Sequence, residues 1–452
     1  MDSYNQIYAT SIYGKTALFS EVAFIFSDES LLRYFLKVEG ALAKVQGDLS
    51  VIPKEAAVKI QQVANTDFLN NATFLKKTAI VGFPIVALTE QLNKASGKHG
   101  KYVHWGATTQ DIMDTALILQ LKDTLKYIEE ELEKIIKALF TLTRKYRNTI
   151  MVGRSQMQHG LPITFGFKSA LWLFPILEHL EQLRVLQKNS LYVQLGGAVG
   201  TLASLKTEGV KVRKALAKEL KLNEPKISWH SSREVLIEIM HRITAISGTL
   251  GKIGKDISLL SQTEIGEVQE QRIDGRGISS TMPQKRNPIS AQALLISARN
   301  TTNYMNILYK ALLNDHERGT SIWQSEWMAI PNLMIHAAGG IGIASDLLKH
   351  LEVYPEKMKE NLMKTNGFIM AEAVMMQLAM KIGKQEAHDL IHNLIEQAQK
   401  ENKTFKEVLE QNQITKQYSK KEIDLWLDPQ NYLGETKNMI DAVEQKAKKL
   451  TS

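Results

Sequence analysis

The chain has 452 residues, of which 44% are hydrophobic and 23% charged, a composition typical of a folded globular protein. It contains no cysteine, which excludes disulfides, a thiolate metal site and a cysteine nucleophile, and which fits a reducing cytoplasm. The formal net charge of +8 indicates either an anionic partner or a lysine-rich surface, and the scattering of the lysines along the chain favours the surface.

A first polar cluster, residues 103–115, comes directly before a long apolar pattern. Thr108 or Thr109 can cap the helix that follows, and Asp111 is favourable near the positive end of that helix. Capping does not require His104, Trp105 or the second threonine. Because a helix N-terminus lined with hydroxyls is a natural carboxylate site, the first cluster predicts contact with an anion.

Two long amphipathic helices are predicted from apolar residues that recur every three or four positions. The first has Ile118, Leu121, Leu125, Ile128, Leu132, Ile135, Leu139 and Leu142. The second has Ile239, Ile243, Ile246, Leu250, Ile253, Ile257 and Leu260. Glycines at 248, 251 and 254 lower helix propensity, so we expect a neighbouring helix to approach closely there. Stretches in which apolar and polar residues alternate, as in a β-strand, are rare. The predicted fold class is therefore all-α, built on a bundle of long helices.

A second polar cluster, residues 153–166, lies between these helices. A lone histidine is more often structural than catalytic, but His159 is surrounded in sequence by polar side chains, namely Arg154, Gln156, Gln158 and Thr164. Pro162 is placed near the start of another predicted helix. The cluster therefore makes His159 a candidate catalytic residue.

The glycine-rich segment 196–200 matches a dinucleotide-binding loop only superficially, because no βαβ unit surrounds it. A helix boundary with close packing is the favoured interpretation. No phosphate-binding loop and no metal-ligand spacing is present in the sequence, so we expect no cofactor and no metal. We also expect no nucleic-acid partner, and no membrane segment or signal peptide.

Residues 276–288, called the signature loop below, bring hydroxyl, cationic and amide side chains together in one short stretch of the chain. Gly277, Pro283 and Pro288 make a continuous helix through it improbable, although long apolar patterns flank it on both sides. Its reactive or charged side chains are Ser279, Ser280, Lys285, Arg286 and Asn287. A solvated basic loop is one interpretation, and a loop that presents donors and a base to an anion is the other.

The order of residues in this loop resembles the signature of the fumarase/aspartase superfamily, and the two polar clusters match its other two characteristic regions in the same order. Within the superfamily the chain is most similar to the 3-carboxy-cis,cis-muconate cycloisomerases. Supporting stretches include residues 18–20, 26–29, 38–43, 200–205, 316–318 and the Asp-Pro-x-x-Tyr-Leu-Gly run at 428–434.

The resemblance implies a three-domain α fold, which we place at residues 1–107, 108–350 and 351–452. It also implies a homotetramer with a twenty-helix core, in which each active site draws the three regions from three different subunits. The implied partner is a small anionic substrate. The implied chemistry is addition or elimination across a C–C bond beside a carboxylate, through an aci-carboxylate that needs preorganised positive donors.

The resemblance implies roles for particular residues. Ser279 acts on the carbon-bound proton, and His159 and His104 are further catalytic candidates. The implied substrate-binding residues are Thr108, Thr109, Gln156, Ser280, Met282, Lys285, Asn287 and Arg318. An ordinary serine is a poor base, so loop closure and nearby cations must lower the pKa of Ser279.

Three positions depart from the superfamily pattern. Ile278 replaces the usual glycine before the serine pair, Gln156 stands where several members have a catalytic histidine, and Gln292 replaces the glutamate that supports that histidine. Losing both members of the pair argues against a fumarase-like acid/base pair. A cycloisomerisation is intramolecular and releases no leaving group, so no acid is needed to protonate one.

Two alternatives stay open from the sequence. Adenylosuccinate lyase fits Lys285-Arg286-Asn287-Pro288 too, but that family has a His-Asp pair where this chain has residues 82–85, Gly-Phe-Pro-Ile. A catalytically inactive structural member of the superfamily is the other alternative. Ser279, Lys285 and Asn287 weigh against it, whereas Ile278 and Gln156 weigh for it.

Overall fold

A computed structural model of the chain describes residues 22–272, 277 and 280–451. The α-helices are α1 (Val22–Ile25), α2 (Asp28–Asp48), α3 (Lys54–Val63), α4 (Asn71–Val81), α5 (Pro84–Ala95), α6 (Thr109–Lys145), α7 (Phe165–Asn189), α8 (Gly209–Leu220), α9 (Glu234–Leu260), α10 (Ile289–Tyr309), α11 (Ile322–Lys349), α12 (Pro355–Met363), α13 (Ala371–Ile382), α14 (Lys384–Glu401), α15 (Phe405–Gln411), α16 (Lys420–Leu427) and α17 (Thr436–Thr451). Short 3-10 helices lie at Thr66–Phe68, Gly97–Tyr102, Ala203–Glu208, Lys310–Leu312, Phe368–Met370, Thr415–Gln417 and Pro429–Tyr432. Two antiparallel two-stranded sheets pair β1 (Ile150–Ser155) with β2 (Gln158–Thr164) and β3 (Val268–Gln269) with β4 (Glu352–Val353).

The all-α prediction is confirmed, and so is the placement of the polar regions between long helices. Helix α6 begins at Thr109, inside the first cluster, and runs for 37 residues. Helix α9 ends at Leu260 and α10 begins at Ile289, one residue after Pro288, so the signature loop separates two long helices as its glycine and prolines predicted.

The two predicted apolar stripes are buried within the single chain. Every stripe residue of α6 and of α9 is at most 8% exposed. Burial of a continuous apolar stripe is the main source of stability for such helices. The stripes therefore leave no apolar surface for other subunits, and they give no argument for a tetramer.

The chain divides into two compact units. The first comprises the described parts of Met1–Leu132, His179–Gly251 and Ala293–Ala344. Its main apolar core includes Phe35, Leu36, Ile60 and Leu88, each almost fully buried. Local signals fix the helices around it: the Ser27 side chain accepts a hydrogen bond from the Ser30 amide and so caps α2.

The second unit comprises the described parts of Glu133–Glu178, Lys252–Gln292 and Ser345–Ser452. One core cluster gathers Val374, Leu378, Ile391, Phe405 and Leu409 from helices α13 to α15. Capping boxes begin both α15, at Thr404 and Glu407, and α16, at Ser419 and Glu422. The three domain boundaries proposed from the sequence stay a prediction.

The second polar cluster is a β-hairpin, which the sequence did not predict. Strands β1 and β2 pair from Ile150 opposite Thr164 to Ser155 opposite Gln158, with a bulge between Val152 and Arg154. Pro162 lies within β2, and helix α7 begins three residues later at Phe165. The predicted helix start was therefore nearly right, but the residues before it are extended.

The glycines of α9 are explained in part by helix packing. A Cβ atom on Gly251 would lie 2.7 Å from the Cβ of Ala298 on α10, so only glycine permits this approach. A Cβ atom on Gly248 would meet nothing within 4 Å. The expected close approach is confirmed at Gly251 and is wrong at Gly248.

Helix α11 is long and apolar enough to span a membrane by length and composition alone. Of its most apolar stretch, 67% is buried inside the structure, the burial expected of a helix in a protein core.

Candidate active site

In the first cluster, His104 is held by a buried carboxylate. Its Nδ1 lies 2.6 Å from Oε1 of Glu39 on α2, and the Glu39 side chain is only 1% exposed. Burial lowers the pKa of His104, but attraction to Glu39, the hydrogen bond to Glu39 and attraction to Asp111 outweigh it, so the pKa is raised. A histidine in this setting favours the charged imidazolium.

Arg318 contacts the threonine that precedes helix α6. Its Nη1 donates to Oγ1 of Thr108 at 2.9 Å and to the carbonyl oxygen of Ala198 at 3.3 Å, and its Nε donates to Oε1 of Gln110 at 3.3 Å. Thr108 and Thr109 are both half-buried. The structure thus brings together Thr108, Thr109 and Arg318, three residues predicted to bind substrate.

Asp111 anchors the segment around these threonines. Its carboxylate accepts hydrogen bonds from the amides of Thr108, Gly196 and Gly197, each at 2.9 Å, and its Oδ1 lies 2.7 Å from Nε2 of His230. Because a carboxylate only accepts, Nε2 of His230 carries the hydrogen. The sequence predicted a helix boundary with close packing at residues 196–200. The boundary is wrong, because the glycines form a loop that supplies amides to a buried carboxylate, whereas the close packing is confirmed.

The loop requires glycine for steric reasons as well. A Cβ atom on Gly196 would lie 2.3 Å from Oγ of Ser228 and 2.8 Å from Cε1 of His230, and Gly197 has a φ of 71°. Ser228 also donates to the carbonyl oxygen of Gly200 at 2.9 Å. His230 lies 119 residues from Asp111, so no local signal in the sequence could have paired them.

One turn further along α6, a second carboxylate lies in a buried charge network. Asp114 accepts from both Nη atoms of Arg233, at 2.8 and 3.1 Å, and from Nε1 of Trp323 at 3.1 Å. Arg233 also donates to both carboxylate oxygens of Glu326. Burial raises the pKa of Glu326, in spite of Arg233. Because removing one partner of a buried pair is costly, this network fixes the start of α6.

In the second unit, Arg154 of the hairpin is committed to a buried carboxylate. Its Nη1 and Nη2 donate to Glu267 at 2.9 and 2.7 Å, and Glu267 is fully buried. Nδ2 of Asn361 donates to the same carboxylate at 2.8 Å. This bidentate pair ties β1 to the segment that leads into the signature loop.

His159 lies on β2 and is partly buried. Burial lowers its pKa, and Arg154 and Lys364 lower it further against the attraction of Glu267. Its Nδ1 is buried and has no hydrogen-bond partner among the described residues. Its environment therefore favours neutral imidazole, the form that accepts a proton.

Gln156 and Met157 form the exposed tip of the hairpin. Their φ angles are 51° and 64°, and a two-residue connection with both φ angles positive has the form of a type I′ turn. Met157 is 70% exposed. The structure therefore places Gln156 at a strained, solvent-facing position instead of in a cleft of the second unit.

The signature loop is closed at its base by Asn287. The Asn287 amide nitrogen and Nδ2 both donate to the carbonyl oxygen of Gly277, at 3.3 and 3.1 Å, and Gly277 has a φ of 71°. Arg286 donates to Gln269, to the carbonyl oxygen of Glu270 at 2.9 Å and to Glu352 at 3.3 Å. Asn287 and Arg286 thus hold the loop to its own unit.

The remaining loop candidates that the structure describes are exposed. Ser280, Met282 and Lys285 all face solvent, and Lys285 makes no ion pair with the residues that the structure describes. Ser279 and Ile278 lie outside the described residues. Within the described ranges no group of three or more His, Asp or Glu side chains is placed to hold a metal.

Comparison with known proteins assigns the chain to a family. A family model described as "Lyase" matches residues 13–301, and one described as "Adenylosuccinate lyase C-terminus" matches residues 367–443. The 3-carboxy-cis,cis-muconate cycloisomerase of Acinetobacter baylyi is 38% identical over 98% of this chain and 99% of that protein. The chain belongs to the fumarase/aspartase superfamily of lyases.

Two further comparisons concern fold and range of activity in this superfamily. The structure of the 3-carboxy-cis,cis-muconate lactonizing enzyme from Pseudomonas putida matches with a TM-score of 0.91 and 35% identity, over 96% of this chain and 99% of that one. The N-acetyl-S-(2-succino)cysteine lyase of Enterococcus italicus is 36% identical over 94% of this chain and 93% of that protein. Two relatives that are named for different reactions, a cycloisomerase and a lyase, are thus almost equally similar to this chain in sequence, at 38% and 36% identity.

The histidine–glutamate pair of several superfamily members has no counterpart in the described part of the second unit. Gln156 is at the exposed hairpin tip, and Gln292 is exposed on the first turn of α10. Neither side chain titrates. The imidazoles of His104 and His159 therefore stand as the candidate proton carriers.

Proposed function

We propose that the chain interconverts 3-carboxy-cis,cis-muconate and a carboxymuconolactone. In the lactone-forming direction one substrate carboxylate adds across a C=C bond, an aci-carboxylate forms, and a proton is delivered to carbon. The similarity to the A. baylyi cycloisomerase over almost the whole of both chains carries this proposal. The loss of the histidine–glutamate pair supports it, because no leaving group has to be protonated.

The proposed roles follow from charge and position. Ser279 moves the proton at carbon, and His159 is available as a proton acceptor because its lowered pKa keeps the imidazole neutral. Lys285, Ser280, Thr108 and Thr109 are proposed donors to the substrate carboxylates.

Four of the binding candidates take modified roles. Arg318 is proposed to act at the anion site together with Thr108, to which it already donates. Asn287 is proposed to shape the loop, because its amide is engaged by Gly277. Gln156 and Met282 are exposed and are proposed to contact substrate only where the site is completed by other chains.

A second candidate is an elimination that releases fumarate from a succinylated compound. The relation to the E. italicus lyase at 36% identity favours it. Adenylosuccinate cleavage belongs to the same reaction type, and the C-terminal match to adenylosuccinate lyase makes it worth testing.

We also propose a homotetramer in the cytoplasm. The resemblance to the superfamily supports the assembly, and so do the exposed apolar residues Leu171, Phe174 and Val185 on one face of α7. The absence of cysteine supports the compartment.

The test is a parallel assay of the purified protein. One reaction follows loss of the conjugated diene of 3-carboxymuconate, and two others follow fumarate release from adenylosuccinate and from N-acetyl-S-(2-succino)cysteine. We expect the first reaction to be the fastest. Fumarate release as the fastest reaction would favour the second candidate, and no turnover of any substrate would favour an inactive structural member.

Ser279→Ala is the matched variant for the reaction that is observed. Removing a general acid–base group should lower kcat by at least about a hundredfold while thermal unfolding is unchanged. Near-normal turnover in this variant would move the proton-transfer role to Ser280 or His159.

A further inference from the structure

The first unit contains a carboxylate–imidazole pair that the sequence did not reveal. Glu39 comes from α2 and His104 from the first cluster, 65 residues away, and their side-chain atoms lie 2.6 Å apart. Glu39 is 1% exposed, and His104 is its hydrogen-bond partner in the described part of the chain. A carboxylate this deeply buried needs a partner that compensates its lost hydration.

The backbone around His104 is fixed so that one ring nitrogen stays available. His104 adopts a φ of 59°, and Nε2 of Gln46 donates to the carbonyl oxygen of the next residue, Trp105, at 2.7 Å. Nδ1 of His104 is occupied by Glu39, whereas its Nε2 has no hydrogen bond to the described residues. The side chain is 21% exposed, so Nε2 can reach a ligand.

Two carboxylates act on the charge of this ring. They are Glu39 on α2 and Asp111 on α6, and together they raise the pKa of His104 above its ordinary value although burial lowers it. Asp111 is itself held by backbone amides and by His230. The arrangement therefore stabilises a charged ring whose free N–H points away from Glu39.

We propose that Glu39 is a positioning residue that holds His104 as a cationic N–H donor for a substrate carboxylate. This inference rests on the proposed function. When the aci-carboxylate forms, negative charge grows on the substrate oxygens, so a fixed cationic donor stabilises the intermediate more than the starting carboxylate. No proton has to leave His104 in this role. The Glu39–His104 pair supplies positive charge to the site, whereas the histidine–glutamate pair of several other superfamily members is replaced here by Gln156 and Gln292.

The test is Glu39→Gln, which keeps the size and the acceptor oxygen but deletes the charge. We expect kcat to fall on the order of a hundredfold and KM to change much less. The imidazolium is lost as pH rises through the raised pKa of His104. In Glu39→Gln that loss should occur at lower pH, so the alkaline limb of the plot of kcat against pH should shift to lower pH. The control is Glu55→Gln, an exposed glutamate on α3, which should leave both quantities unchanged.

A double-mutant cycle separates this role from simple support of the fold. His104→Gln alone should lower kcat by a similar factor and abolish the alkaline limb. In that background, Glu39→Gln should lower kcat no further than about twofold, because contacting residues that act as one unit are not additive. If Glu39→Gln does not fold, a folded His104→Gln with normal kcat overturns the proposal by itself.

The outcomes also separate this inference from the proposed function. A wild-type protein that turns over none of the three substrates refutes the proposed function, and with it the donor role. Turnover by the wild type together with an unchanged kcat and pH profile in Glu39→Gln overturns the role of Glu39 alone. Equal effects of Glu39→Gln in the wild-type and His104→Gln backgrounds would likewise sink it.

Discussion

At the scale of single residues, the side chains of the signature loop divide into those that hold the loop and those left to bind a ligand. Arg286 and Asn287 are used internally, by Glu352 and by the Gly277 carbonyl. Lys285 lies between these two and Pro283, yet it faces solvent without an ion pair to the described residues. A solvent-facing cation with no ion pair among the described residues, beside two neighbours that hold the loop, is suited to bind a polycarboxylate.

Lys285→Met tests that assignment, since it keeps the apolar stem and deletes the charge. If Lys285 stabilises charge that develops in the transition state, kcat should fall by more than about tenfold while KM and thermal unfolding change little. An exposed lysine without such a role contributes about 0–1 kcal/mol to stability and nothing to turnover. Lys384→Met, an exposed lysine at the start of α14, is the control. Equal kinetics in the two variants would contradict the role of Lys285.

At the scale of elements, regular patterns were predictable and long-range polar contacts were not. The stripes of α6 and α9 repeat at helical spacing, so both helices and the loop between α9 and α10 followed from the sequence. The β1–β2 hairpin did not, because Gly153 and Pro162 interrupt its alternation and its tip relies on two non-glycine residues with positive φ.

The candidate site shows the same division. The residue types of its three regions could be named from the signature, but their partners could not. Glu39, Glu267 and His230 lie 65, 113 and 119 residues from the side chains that they contact. Each of these side chains needs a partner because it is buried. Burial depends on the fold of the whole chain, so the sequence around each residue does not reveal its partner.

The Asp111–His230 contact should control the position of the threonines in the first cluster. His230→Leu removes one of four donors to a buried carboxylate. We expect a lower midpoint of thermal unfolding, from a loss of about 1–3 kcal/mol, and a raised KM. His230→Gln should restore both, because its amide reaches about as far as Nε2 and donates the same hydrogen bond. A Gln variant as impaired as the Leu variant would show that ring packing matters instead of the donor.

At the scale of the whole molecule, two observations bear on assembly. The apolar stripes of α6 and α9 are buried within one chain, so they give no evidence for or against contacts between subunits. A different apolar face stays open on α7, where Leu171, Phe174 and Val185 are 53%, 46% and 50% exposed. Exposed apolar residues at helical spacing on one face are expected of an association surface, and they support the proposed tetramer.

We expect sedimentation velocity to show a tetramer at micromolar concentration. Phe174→Asp should dissociate it, since a charge at a buried interface loses its hydration without gaining a partner. If each active site draws its three regions from three subunits, as the superfamily resemblance implies, the dissociated protein should also lose activity. A wild-type protein that is monomeric and fully active would contradict both the assembly and the shared site.

Mixed assemblies test the shared site directly. Ser279→Ala and His104→Gln alter two different regions, and each should keep only about a hundredth of the wild-type activity or less when assembled alone. In a tetramer reassembled from both chains, some sites would combine an intact signature loop from one chain with an intact first cluster from another. Activity should therefore reappear on mixing, and it should not when two different inactive variants of the signature loop are mixed. A mixed tetramer without any activity would place all three regions of each site on one chain.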